Sequence, residues 1–256
     1  MPHEVILEAC VDSIEGALAA EAGGADRIEL CAALSEGGLT PSAGTIAVAR
    51  QRVAIAAHVM IRPRGGDFLY TDAEFASMQR DVEMAKRLGA VGVVLGLLLP
   101  DGSIDLARTR QLTEQARPMS VTFHRAFDMT ADPKKALTDL IALGVDRVLT
   151  SGQAPTAVEG IDLLAKLVKQ AGDKIAVMPG GGIDETSLTK ILEATGAGEV
   201  HVTGTREVDS GMTFRNPRLY MGRAPDRTEF ATDVTDSERI RKMVELAQGS
   251  RHPGTS

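Results

Sequence analysis

The 256-residue chain reads as an α/β protein, a single (β/α)8 TIM barrel, on three observations. Four segments repeat one phrase: GADRIELC from Gly24, GAVGVVLG from Gly89, GVDRVLTS from Gly144 and GAGEVHVT from Gly196. Each follows an amphipathic helical stretch, so its leading glycine suits a left-handed helix C-cap, and each runs on into a short apolar strand. The intervals of 65, 55 and 52 residues are the right length for about two βα units each.

Between the four phrases lie four further strand candidates, at 5–11, 53–61, 120–124 and 174–178, which brings the count to eight. Helices fill the gaps, and several have legible starts. Thr71 and Glu74 make a capping box ahead of Phe75, Met78, Val82 and Leu88, which recur on one helical face. Asp132 and Pro133 give an N-cap and an N1 proline ahead of Leu137, Leu140 and Ile141, and Thr235 with Glu238 repeats the box before Ile240, Met243 and Val244. An open doubly wound sheet would use the same elements, but the repeated phrase fits closed symmetry better. No linker divides the chain, so residues 1–248 are expected to form one domain and 249–256 a flexible tail. The segment 204–235 between strand eight and the last helix is long for a connection and predicts a short helix or a lid.

Composition excludes several classes. Apolar residues at 43% and charged residues at 25% are those of a globular chain rather than a disordered or fibrous one. A net charge of −7, with aromatics at 3% and no Trp, argues against a nucleic-acid partner, which would need basic patches and stacking platforms. No uncharged apolar run reaches the roughly 18–20 residues that cross a bilayer, so no membrane partner is expected. The opening MPHEVILEAC lacks a basic region and meets Glu4 and Glu8 at once, unlike a signal peptide, which points to the cytoplasm. The two cysteines are then expected to be thiols.

Strand alternation sorts the residues into two faces. Val5 and Leu7, Ile28 and Leu30, Val121 and Phe123, and Val200 and Val202 are expected to face the helices, as is the apolar parity of strand three. The opposite parity turns inward: Glu8 and Cys10, Glu29 and Cys31, His58, Met60 and Arg62, Thr122 and His124, His201 and Thr203. A purely structural barrel interior would use Val, Ile and Leu, so this polar set predicts a functional cavity at the strand C-terminal ends.

Glu8-Ala9-Cys10 and Glu29-Leu30-Cys31 repeat an ExC pattern on neighbouring strands, about 4.8 Å apart, so the sulfurs can approach each other. Two thiolates with Met60 nearby form a soft ligand set suited to Cu(I), whereas zinc would recruit His58 or His124, and inert packed thiols are the remaining alternative. The runs CVDSIEGALAAEAGGADRIELC, EGGLTPSAG, HVMIRPRGGDF, FHRAFDM, LTSG and MPGGGI resemble the bacterial CutC family over roughly residues 5–205. That resemblance implies a cytoplasmic (β/α)8 barrel associated with copper homeostasis and Cu(I) binding, with Cys10 and Cys31 as the metal ligands and copper (Cu+) as the ion.

A second reading is an enzyme acting on a small phosphorylated or carboxylated substrate. Glu8, Glu29, His58 and His124 are its candidate acids and bases. The run Pro179-Gly180-Gly181-Gly182-Ile183 is expected to open a helix after strand seven, and Gly204-Thr205 follows strand eight. Barrels bind phosphate there, so Gly181, Gly182, Gly204 and Thr205 are candidate anion contacts, with Arg62, Arg64 and Arg125 adding charge unless they pair with Asp67 or Asp128. No inward strand position holds a lysine, which disfavours a Schiff-base enzyme, and Ser151-Gly152 reads as a turn. Barrels of this kind often pair, so a homodimer is expected, with 204–235 as a candidate interface.

Overall fold

The structure, a computed structural model, describes residues 5–216, 218 and 228–250. Eight strands alternate with helices: β1 (Ile6–Val11), α1 (Ile14–Ala22), β2 (Arg27–Leu30), α2 (Ala43–Arg52), β3 (Ala56–Met60), α3 (Asp72–Arg87), β4 (Gly92–Leu95), α4 (Leu106–Ala116) and β5 (Ser120–Phe123). The second half continues with α5 (Pro133–Ala142), β6 (Arg147–Thr150), α6 (Ile161–Ala171), β7 (Ala176–Pro179), α7 (Leu188–Thr195) and β8 (Glu199–Val202). A two-stranded antiparallel ribbon, β9 (Thr205–Asp209) with β10 (Ala231–Thr235), precedes the last helix, α8 (Ser237–Gly249).

The four phrase-leading glycines all sit at positive φ, +88° at Gly24, +86° at Gly89 and +69° at Gly144 and Gly196, where a side chain would be strained. Each ends a helix and turns the chain into an inner strand. The parallel ladders run in the order β7-β6-β5-β4-β3-β2-β1-β8, so the barrel closes around all but one junction. β7 and β8 lie side by side at that junction without a ladder between them.

Alternation divides the apolar residues as expected. Leu7, Ile28, Leu30, Val59, Val121, Phe123, Val200 and Val202 belong to the main core, packed with helix residues such as Met78, Leu112, Leu137, Leu164 and Ile240. Cys10, Cys31, Met60 and Val94 form a separate buried cluster inside the barrel.

Two of the three helix starts form as read. Thr71 Oγ1 accepts from the Glu74 N–H at 3.2 Å and Glu74 Oε2 accepts from the Thr71 N–H at 2.7 Å. Asp132 accepts from the N–H groups of Lys134 and Lys135, with Pro133 in the first turn. Removing the first cap in Thr71→Ala is expected to lower the unfolding free energy by about 1 kcal/mol. Urea titration reads this as an earlier midpoint at unchanged slope.

The third start is corrected. Thr235 pairs with Thr205 in the ribbon and stays extended, so Asp236 is the N-cap and accepts from Glu238 and Arg239. The segment 204–235 contributes the β9–β10 ribbon, with residues 217 and 219–227 outside the described residues. The glycine run does not open a helix: Asp184 accepts from the N–H groups of Thr186 and Ser187 in an intervening turn, and α7 starts only at Leu188. Of the expected tail 249–256, Gly249 ends α8, Ser250 caps it, and 251–256 lie outside the described residues. No helix among the described residues is long and apolar enough to cross a membrane.

Candidate functional site

Ladder register sets the interior in layers. Cys10 on β1 stands opposite Glu29 on β2, Glu29 opposite His58 on β3, and Glu8 opposite His201 on β8. Cys31 follows the end of β2, two residues above Glu29, with its N–H donated to the Val11 carbonyl. The two thiols therefore meet on a diagonal, Sγ to Sγ 3.9 Å, and both are free and buried. Glu29 Oε2 lies 3.2 Å from the Cys10 sulfur and 3.4 Å from the Cys31 sulfur, while its other oxygen is buried without a partner.

The three groups titrate against one another. Hydrogen bonding from the Cys31 thiol, reinforced by His201, outweighs burial and brings Cys10 from 9.0 down to about 5. Cys31 is pushed well up by that same hydrogen bond and by burial. Burial and the Cys10 charge push the Glu29 carboxyl well up too. His201 is pushed well up despite burial by the acidic groups around it, Glu29 first and then Cys10 and Glu8 as hydrogen-bond partners, and its Nδ1 is 2.8 Å from Glu8 Oε1. These donor atoms form two overlapping sets with metal-ligand spacing, Cys10–Glu29–Cys31 and Glu8–Glu29–His201, each within 4.8 Å.

Below this layer lies a buried ionic floor. The Arg27 guanidinium bonds Glu8 and Glu199, and Arg147 Nε bonds Glu199 Oε2 at 2.9 Å. Glu8, fully buried, is held well below the usual carboxylate range: the Arg27 guanidinium and His201 overcome the opposite pull of burial. Glu8 is thereby engaged as a counter-ion, and it does not line the cavity above. Sequence reasoning missed Arg27, Arg147 and Glu199. The repeated Asp-Arg of the GADR and GVDR phrases carried the signal: Asp26 accepts from the Leu7 N–H and Asp146 from the Val121 N–H, and the arginine after each turns inward.

The cavity, of about 290 Å³, opens at the C-terminal ends of the strands. It collects Cys10, Glu29, Met60, Arg62, His124, Arg125, Gly181, Gly182, His201 and Thr203 from the sequence reading, and adds Phe68 and Leu149. His58 packs outside it against β4, where a Cβ at Gly92 would come within 2.3 Å of the ring. Burial lowers His58 to about 4, and burial with the Arg62 charge lowers His124 to about 3, so both imidazoles are neutral.

Three anion candidates stand apart from the cavity. Arg64 points outward to Asp67 at 2.9 Å and Glu74 at 2.6 Å. Gly204 packs beneath Ile240 and Met243 of α8, and Thr205 begins the ribbon. Arg125 pairs with Asp128 at 2.8 Å yet still lines the cavity, and its Nη2 donates to Ser151 Oγ.

The CutC family profile matches residues 5–206. The chain is 50% identical to the human "Copper homeostasis protein cutC homolog" over 243 residues, covering 95% of this chain and 89% of that one. It is 48% identical to a CutC family protein of Mesorhizobium japonicum, over 95% of this chain and 94% of the relative. The solved CutC structure from Streptococcus agalactiae superposes with a TM-score of 0.74 at 34% identity, over 77% of this chain and 97% of that one. Thiamine phosphate pyrophosphorylase from Pyrococcus furiosus, at 17% identity and a TM-score of 0.59 over 96% and 97% of the two chains, shares the fold alone. With the repeated strands, the paired thiols and the family profile in agreement from β1 to β8, the chain belongs to the CutC family.

Proposed function

We propose that this chain binds Cu(I) between Cys10 and Cys31 and serves in copper homeostasis, as the name of its human relative states for that protein. The observation that carries this reading is the pair of buried free thiols 3.9 Å apart. Their separation is less than two metal–thiolate bonds of about 2.3 Å each, so one ion can touch both sulfurs with the strands in place. Met60 and Val94 make the surroundings soft and dry, which favours a polarisable monovalent ion over a hard, hydrated one. Glu29, its carboxyl pushed well up by burial, stands as a hydrogen-bond partner to both thiols. Two unoxidised sulfurs at this distance suit a reducing compartment, hence the cytoplasm.

Binding must displace the Cys31 proton, so Cu(I) affinity is expected to rise with pH. The test is an anaerobic Cu(I) titration against a competing chelator, comparing the reduced protein with a Cys10→Ser, Cys31→Ser double variant whose fold is checked by circular dichroism. A single tight equivalent that disappears in the variant supports the reading. Tight binding that ignores both substitutions, or no tight binding at all, overturns it.

A further inference from the structure

Among the described residues, Arg62 is a cation without a counter-ion. Only 6% exposed, it spends its two terminal nitrogens on the main-chain carbonyls of Glu36, Gly38 and Gly66, at 2.6–3.1 Å. Its Nε is buried and donates to nothing, and among the described residues no carboxylate pairs with it. The other interior arginines, Arg27 and Arg147, are each neutralised by glutamate. A buried charge left unpaired is unfavourable, so the place where this one meets the cavity is where an anion would be most strongly stabilised.

The groups around it are donors as well. His124 Nδ1 accepts from the Ala126 N–H at 3.1 Å, which fixes the ring proton on Nε2, and that nitrogen is buried with no acceptor. The ring is neutral at ordinary pH, because burial and Arg62 hold it to about 3, so His124 offers an N–H without competing for the anion as a base. Phe68 fixes both groups, with its ring centroid 4.9 Å from that of His124 and 5.1 Å from the Arg62 guanidinium carbon. Across the cavity, Gly181 and Gly182 take φ of +103° and +69°, and among the described residues their amides and that of Ile183 find no acceptor. A Cβ at Gly181 would sit 3.3 Å from Arg125 Nη1, so glycine lets that guanidinium lie against the bare backbone. Arg125 Nε and Nη2 are held by Asp128 and Ser151, which aims the remaining Nη1 without using it.

We infer that the cavity is a binding site for a small organic anion, its carboxylate or phosphate group neutralising Arg62 and its other polar atoms taking the unused donors of His124, Arg125 and the Gly181–Gly182 backbone. A volume of about 290 Å³ lies at the small end of ligand sites and fits a compact organic acid or phosphate ester. The copper reading needs none of these groups, so the two sites stand or fall separately.

The test is calorimetric titration of the metal-free, reduced protein in low-salt Tris chloride, with inorganic phosphate in one arm and malonate in the other. Saturable binding of phosphate alone assigns a phosphate ester, of malonate alone a carboxylate, and of both a general oxyanion; each supports the site. Arg62→Gln is expected to abolish binding. Arg125→Gln, at a half-exposed position and with its fold checked by circular dichroism, is expected to weaken it about tenfold, the loss of one charged hydrogen bond. No binding of either probe up to about 10 mM, or binding unchanged in Arg125→Gln and in a folded Arg62→Gln, overturns the inference.

Discussion

Arg27→Met is expected to destabilise the protein by about 3–5 kcal/mol, the cost of breaking a buried ion pair from one side. Arg27 alone joins Glu8 to Glu199, so its loss leaves Glu8 with His201, Glu199 with Arg147, and two carboxylates facing each other in the barrel floor. Urea denaturation should show the midpoint falling steeply. A single-variant loss below about 1 kcal/mol would mean that water screens the floor, contrary to its burial.

Acid should weaken the fold well before ordinary carboxylates titrate. His58 and His124 stay neutral in the folded chain down to about 4 and about 3, whereas in the unfolded chain they take up protons from 6.5. The unfolded state then binds more protons, so stability falls as pH drops from 6.5 towards 4, at about 1.4 kcal/mol per pH unit for each ring. Glu8, depressed in the folded state, extends the loss below its ordinary value of 4.5. His201 has the opposite sign: its pKa is raised, so its contribution is complete below 6.5 and fades as pH climbs through the folded value. Glu29 and Cys10 act in opposite directions, the carboxyl raised and the thiol lowered in the folded state. Denaturation midpoints across this range should show a slope that flattens by about one proton in His58→Gln. An unchanged slope in that variant would refute the assignment.

Much of this was legible in the chain because a barrel strand has period two. His58, Met60, His124, His201 and both cysteines face inward as their parity requires, and the four helix-ending glycines set the spacing of the strands. What parity cannot give is how high each inward residue sits. That depends on ladder stagger, which set Cys10 against Glu29 and sent Glu8 down to the arginine floor, away from the candidate acid–base groups above. Arg64 and Gly204 were misleading for a related reason: beyond the strand ends alternation lapses, and local partners such as Glu74 and Ile240 decide where the chain points. Arg62 also leaves its strand, but main-chain carbonyls, invisible in sequence, hold it over the cavity.

The missing ladder between β7 and β8 makes the barrel a strip rolled into a tube rather than a sealed ring. Gly181, Gly182 and Ile183 border one margin of that strip, and His201, Val202 and Thr203 the other; both margins line the cavity. Widening the seam costs side-chain packing but no interstrand hydrogen bond. Side-chain packing alone therefore joins the wall along this one line, whereas Cys10 and Cys31 stand beside the β1–β2 ladder, which sets their spacing.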